Sequence, residues 1–123
     1  MSEEKARQAI VNYIEAFNAQ DLPAMKDSFN FPFAWLINHT VRAVQKASDF
    51  QSPTKRLIEE EGWHHTVLDL AEPIHVWDAK AHFKVEYSRY KADGTKYVSH
   101  EALWIVTLVD GHWGVQWMSL YLP

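Results

Sequence analysis

Hydrophobic positions near the start of the chain recur at helical spacing. Ala6, Ile10, Tyr13 and Phe17 stand at i, i+4, i+7 and i+11, with Ala9 and Ile14 beside them. This stripe predicts an amphipathic helix over residues 3–19. Arg7, Asn12 and Gln20 fall away from it. Ser2 is the expected cap, and Glu3 and Glu4 suit the positive end of the helix dipole. A second helix is predicted from Asp21, with Pro23 in a first turn whose amides lack partners in any case. Met25 and Phe29 would mark its buried side. Its end is expected near Asn30, because Pro32 biases Phe31 away from helical angles.

The pattern then changes. Residues 31–37, Phe-Pro-Phe-Ala-Trp-Leu-Ile, form an aromatic-rich run bounded by Pro and Asn, which predicts a buried strand. Residues 41–44 follow as a short partner strand after a turn at Asn38-His39-Thr40. A third helix is signalled by its ends, with Ser52 as cap, Pro53 at the first position and Gly62 as left-handed terminator. Leu57 and Ile58 supply its apolar side.

Strands fill the rest. Residues 66–77 are interrupted by Glu72-Pro73, the mark of a bend or an edge. Residues 79–91 alternate, with Ala81, Phe83, Val85, Tyr87 and Arg89 on one face and Lys80, His82, Lys84, Glu86 and Ser88 on the other. Asp93-Gly94 reads as a hairpin turn from strand 79–91 into strand 96–109, and a second Asp-Gly, Asp110-Gly111, leads on to strand 112–122. The predicted order is α-α-β-β-α-β-β-β-β. The fold class is α+β, with three helices packed on one face of a strongly curved, mostly antiparallel sheet. Helices closing such a curl leave a cone with a central cavity, a usual kind of small-molecule site.

Composition narrows the function classes. A chain of 123 residues is one domain's worth, 1–123. Sixteen acidic against twelve basic residues give a net charge of -4, so neither nucleic acid nor an anionic membrane is an expected partner. There is no cysteine, which excludes disulfides and thiol chemistry. No apolar run reaches the length of a membrane span. The first residues, Met-Ser-Glu-Glu-Lys, do not read as a signal peptide, and a cytoplasmic location is expected. His64 and His65 are adjacent, and no His pair has i, i+4 helix spacing, so no metal site and no cofactor is expected.

Three segments carry a resemblance. They are Tyr13-Ile14-Glu15-Ala16-Phe17-Asn18-Ala19-Gln20-Asp21-Leu22, Tyr90-Lys91-Ala92-Asp93-Gly94-Thr95 and Asp110-Gly111-His112-Trp113-Gly114-Val115. In this order and spacing the chain resembles the nuclear transport factor 2-like superfamily, the cystatin-like α+β cone, in its ketosteroid isomerase and polyketide cyclase-like branch. These are scaffold motifs, and they imply architecture rather than activity. Ketosteroid isomerases place an oxyanion-binding tyrosine on the first helix, and Tyr13 matches it. Their strand aspartate falls where this chain reads Leu36-Ile37-Asn38-His39, and their second, protonated aspartate falls at Ala102. Both carboxylates are absent, so steroid isomerisation is not expected.

The candidate site follows from these readings. Tyr13 would donate its hydroxyl to a ligand oxygen; the plain alternative is a core tyrosine satisfied internally. His100 shares its alternation with Val98, Ala102, Trp104 and Val106, a face the resemblance turns inward, although the residues alone allow Glu101 inward instead. On the inward reading His100 is a candidate general base. His39 stands near the position of the missing aspartate and could replace it. Trp35, Tyr87, Arg89, Trp104 and Met118 are expected to contact substrate, with Arg89 able to fork a carboxylate or, past the core, to be solvated. The expected function is binding of a small apolar ligand. It extends to acid–base isomerisation, dehydration or cyclisation, or else stops at non-catalytic binding or a protein-interaction role. Strands 103–109 and 112–122 carry apolar residues on both faces, which predicts a homodimer through the outer sheet face.

Overall fold

The computed structural model describes residues 2–121. Helix α1 runs Ser2–Asn18 and α2 runs Leu22–Asp27. Strands β1, Phe29–Ile37, and β2, Thr40–Val44, precede a 3-10 turn at Ala47–Asp49 and helix α3, Thr54–Glu61. Strands β3, His65–Trp77, β4, Lys80–Tyr90, β5, Lys96–Val109, and β6, His112–Leu120, complete the order. One six-stranded curled, unclosed sheet results, in the order β2-β1-β6-β5-β4-β3. Its pairs are antiparallel except β1–β6, which is parallel. The α+β architecture is the one the pattern predicts. Among the described residues no helix is long and apolar enough to cross a membrane.

The helical stripe lies against the sheet. Ala6, Ala9, Ile10, Tyr13, Ile14, Ala16 and Phe17 are all buried, and α1 packs on β3, β4, β5 and β6. Burying each large apolar side chain contributes about 1.5–3 kcal/mol, so this face holds the helix. Its C-terminal end is fixed by hydrogen bonds. The Asn18 side-chain amide donates to the Thr66 carbonyl and accepts from the Thr66 N–H, both at 2.7 Å. The inward set on β4 is also as alternation predicts, with Ala81, Phe83, Val85 and Tyr87 buried. On β5 the buried set is His100, Ala102, Trp104 and Val106, so His100 and not Glu101 faces the helices.

Several boundaries differ from expectation. Ser2 lies inside α1 rather than ahead of it. Helix α2 ends at Asp27, and Phe29 opens β1 instead of lining the helix. The cause is local: the Ser28 hydroxyl bonds the Ala24 carbonyl at 2.9 Å, closing the helix, and the Ser28 carbonyl accepts the Val115 N–H at 2.8 Å, starting the sheet. At α3 the N-cap position is Pro53, one residue after Ser52. The Ser52 hydroxyl still receives the Thr54 N–H at 3.3 Å. Gly62 ends α3 as expected, at φ 72°, with its N–H on the Ile58 carbonyl. Of the strand predicted to reach residue 122, Leu122 lies outside the described residues.

The parallel strands β1 and β6 approach closely at Gly114. A Cβ on Gly114 would stand 2.6 Å from the Phe29 carbonyl carbon and 2.7 Å from the Asn30 nitrogen. Asn30, itself buried, donates to the Thr107 and His112 carbonyls, and its side-chain oxygen lies 2.7 Å from His112 Nδ1. These bonds seat β1 beside the β5–β6 turn.

Candidate functional site

Curling the sheet around α1 leaves a cavity of about 530 Å³, within the range of small-molecule pockets. Tyr13 and Phe17 of α1, Trp35 of β1, Trp104 of β5 and Met118 of β6 form its inner wall. Its rim is polar, with Arg42 on β2, Asp49 after it and Arg56 on α3. Tyr87 and Arg89 of β4 line it as well. All five expected contact residues, Trp35, Tyr87, Arg89, Trp104 and Met118, therefore share one hollow with Tyr13.

Tyr13 is packed on three sides. Its ring lies 4.7 Å from Phe29, 5.7 Å from Phe17 and 5.8 Å from Trp104, between centroids. Its hydroxyl has no hydrogen-bond partner among the described residues. Burial, and then the neighbouring Tyr87, push its pKa well above the ordinary phenol range, against the opposing Arg89 charge. It is therefore a proton donor at any ordinary pH, and not a base.

Arg89 is not solvated beyond the core. Its side chain is 13% exposed, with Nη1 3.3 Å from Glu61 Oε1 at the end of α3. The same oxygen accepts the Tyr97 hydroxyl at 2.7 Å. The guanidinium carbon stands 5.7 Å from the Tyr87 ring centroid, a cation–π contact. Burial raises the Tyr87 pKa, and the Arg89 charge offsets part of that. Two donors in this region are buried and unpartnered: Arg89 Nε and Trp104 Nε1. Each such group costs about 1–3 kcal/mol unless something supplies an acceptor.

The two candidate bases are placed differently. His100 pairs with Tyr87 across β4–β5, with rings 5.2 Å apart. It is buried beside Tyr87 and is not part of the cavity wall. Burial, then the Arg89 charge, hold its pKa below the ordinary 6.5, so it is neutral at neutral pH. His39 is exposed on the β1–β2 turn and is not part of the wall either. It occupies a two-residue connection between Ile37 and Thr40, which carries it beyond the sheet. Asp49, at the rim, is the carboxylate the described wall contains.

Sequence reasoning missed Glu61 and Tyr97, which position Arg89, and the rim residues Arg42, Asp49 and Arg56. Tyr97 is the extra residue of a bulge, since Arg89 pairs with Val98 and Tyr90 with Lys96. Strict alternation cannot reveal such a residue. The rim arginines carried no periodic signal.

A profile of the NTF2-like protein family (DUF6841) matches residues 2–120. The chain belongs to this NTF2-like family. No match is found among curated protein sequences. Solved structures resemble the NTF2-like chain along its whole length. A protein of unknown function with a cystatin-like fold from Nostoc punctiforme has a TM-score of 0.78 at 8% identity, covering 98% of this chain and 90% of that one. An NTF2-like protein of unknown function from Shewanella oneidensis has a TM-score of 0.72 at 12% identity, covering 99% and 100%. A ketosteroid isomerase-like protein from Erwinia carotovora has a TM-score of 0.67 at 13% identity, covering 98% and 96%. At these identities the likeness concerns the fold alone.

Proposed function

We propose that this NTF2-like protein binds a small organic molecule with an apolar body in the cone cavity. One observation carries the reading: a hollow of about 530 Å³ brings Tyr13, Trp35, Arg89 and Trp104 onto one wall. Aromatic and aliphatic walls favour an apolar body, and a few convergent polar groups fix its orientation. Native mass spectrometry against a metabolite library tests it. A one-to-one adduct is expected, and it should be lost in Val44→Trp, which narrows the mouth at a half-buried edge-strand position. Absence of any such adduct, or one indifferent to Val44→Trp, overturns the reading.

A second reading, proton-transfer chemistry on a carbonyl or hydroxyl substrate, draws on Tyr13. A hydroxyl held protonated, without an internal partner, is what an oxyanion donor requires. The wall supplies no imidazole to accompany it, because His100 and His39 stand outside. Turnover of an enone and hydroxy-acid panel that falls in Tyr13→Phe supports this reading; turnover unchanged in that variant removes the role.

The outer sheet face supports a homodimer as a further part of the proposal. Leu103, Ile105 and Trp117 are only half-buried. Phe33, Ile105 and Trp117 border a groove of about 400 Å³ there. A second copy covering this face would remove that apolar surface from water.

A further inference from the structure

We propose that the ligand's polar end is a carboxylate, an acceptor-only group seated among Tyr13, Arg89 and Trp104, with its apolar body toward Trp35 and Met118. The proposal rests on the small-molecule reading above and names the ligand class for the same cavity.

The argument is an imbalance of donors and acceptors. The Tyr13 hydroxyl has no hydrogen bond among the described residues, and Arg89 Nε and Trp104 Nε1 are buried without partners. Tyr87 ties the three together: its ring lies 6.3 Å from Trp104 and 5.7 Å from the Arg89 guanidinium, while Tyr13 stands 5.8 Å from Trp104. Two nearby acceptor atoms are already engaged. Glu61 Oε1 takes Arg89 Nη1 and the Tyr97 hydroxyl. Thr66 Oγ1 takes the Trp63 indole N–H at 2.9 Å. Asp49 is exposed at the rim. Several donors without an acceptor leave a place for one to be brought in.

A carboxylate fits this place best by chemistry. It accepts at both oxygens and donates nothing. With Nη1 turned to Glu61, the Nε edge of the Arg89 fork remains for a planar anion. An amine would add donors and a positive charge beside Arg89. A hydrocarbon would leave all three donors unmet.

Calorimetric titration of the full chain with four naphthalenes of similar size tests the assignment: naphthalene-2-carboxylate, 2-acetylnaphthalene, 2-ethylnaphthalene and 2-naphthylmethylamine. The carboxylate is expected to bind tightest, about tenfold or more over the ethyl compound, and the amine weakest. In Tyr13→Phe and in Trp104→Phe the carboxylate should lose about fivefold while the ethyl compound changes less than about twofold. Equal or better binding of the ethyl compound or the amine overturns the carboxylate assignment and leaves the small-molecule reading standing. Equal binding of the ketone also overturns it, in favour of a neutral carbonyl. Failure of all four to bind overturns both.

Discussion

Arg89 and Glu61 meet at 3.3 Å, joining an inward strand position to the last turn of α3. The contact gives a counter-charge to a cation of the cavity lining that an apolar wall would otherwise leave alone. Truncating the acid should therefore cost more than an exposed pair does. For Glu61→Ala we expect a loss of about 1–2 kcal/mol, discounted because the carboxylate is 31% exposed. Urea denaturation measures it. A change near zero would show that water replaces Glu61 freely.

His100 makes stability depend on pH. Its folded pKa lies below the ordinary 6.5, chiefly through burial. The unfolded chain then takes up the proton first as pH falls, so this contribution is intact above about pH 6.5 and declines below it. Unfolding free energies of wild type and His100→Gln should converge as pH is lowered from 7.5 toward 5, roughly the range where histidine titrates. Parallel curves would mean that His100 carries no such linkage.

Gly114→Ala should be severely destabilising. The added methyl would meet backbone atoms of Phe29 and Asn30 at 2.6 and 2.7 Å, and backbone paired in a sheet has little room to yield. A loss of about 3 kcal/mol or more is expected, read as a lowered thermal midpoint. A midpoint close to wild type would show that β1 and β6 are not held together as closely as described.

The proposed dimer is tested by light scattering at micromolar concentration. Wild type should have twice the mass of the chain, and Ile105→Lys, which places a charge on the outer face, should shift it to monomer. A wild-type monomer defeats the proposal.

Much of this was legible in the chain because it is periodic. The α1 stripe and the β4 alternation name the residues that meet in the core, and the β4 alternation already put Tyr87 and Arg89 on the inner side. What was not legible depends on register or distance. Glu61 reaches Arg89 across 28 residues and Tyr97 across 36, with no local spacing to announce it. On β6, Val106 pairs with Val115 and Ile105 with Trp117, so Gln116 is bulged. That bulge turns Trp117 outward beside Ile105, while Met118 stays buried in the wall. His100 sits on the correct face beside Tyr87 but outside the cavity lining, an extent of the hollow that alternation does not encode. His39 resembled a base position only by its place along the chain.

The most direct measurement is a crystal structure of the protein soaked with naphthalene-2-carboxylate. The account predicts the molecule inside the cone, its carboxylate within hydrogen-bond reach of the Tyr13 hydroxyl and on the Arg89 side. A hollow filled by the Trp35 and Trp104 indoles, or the acid bound only on the outer sheet face, would contradict it.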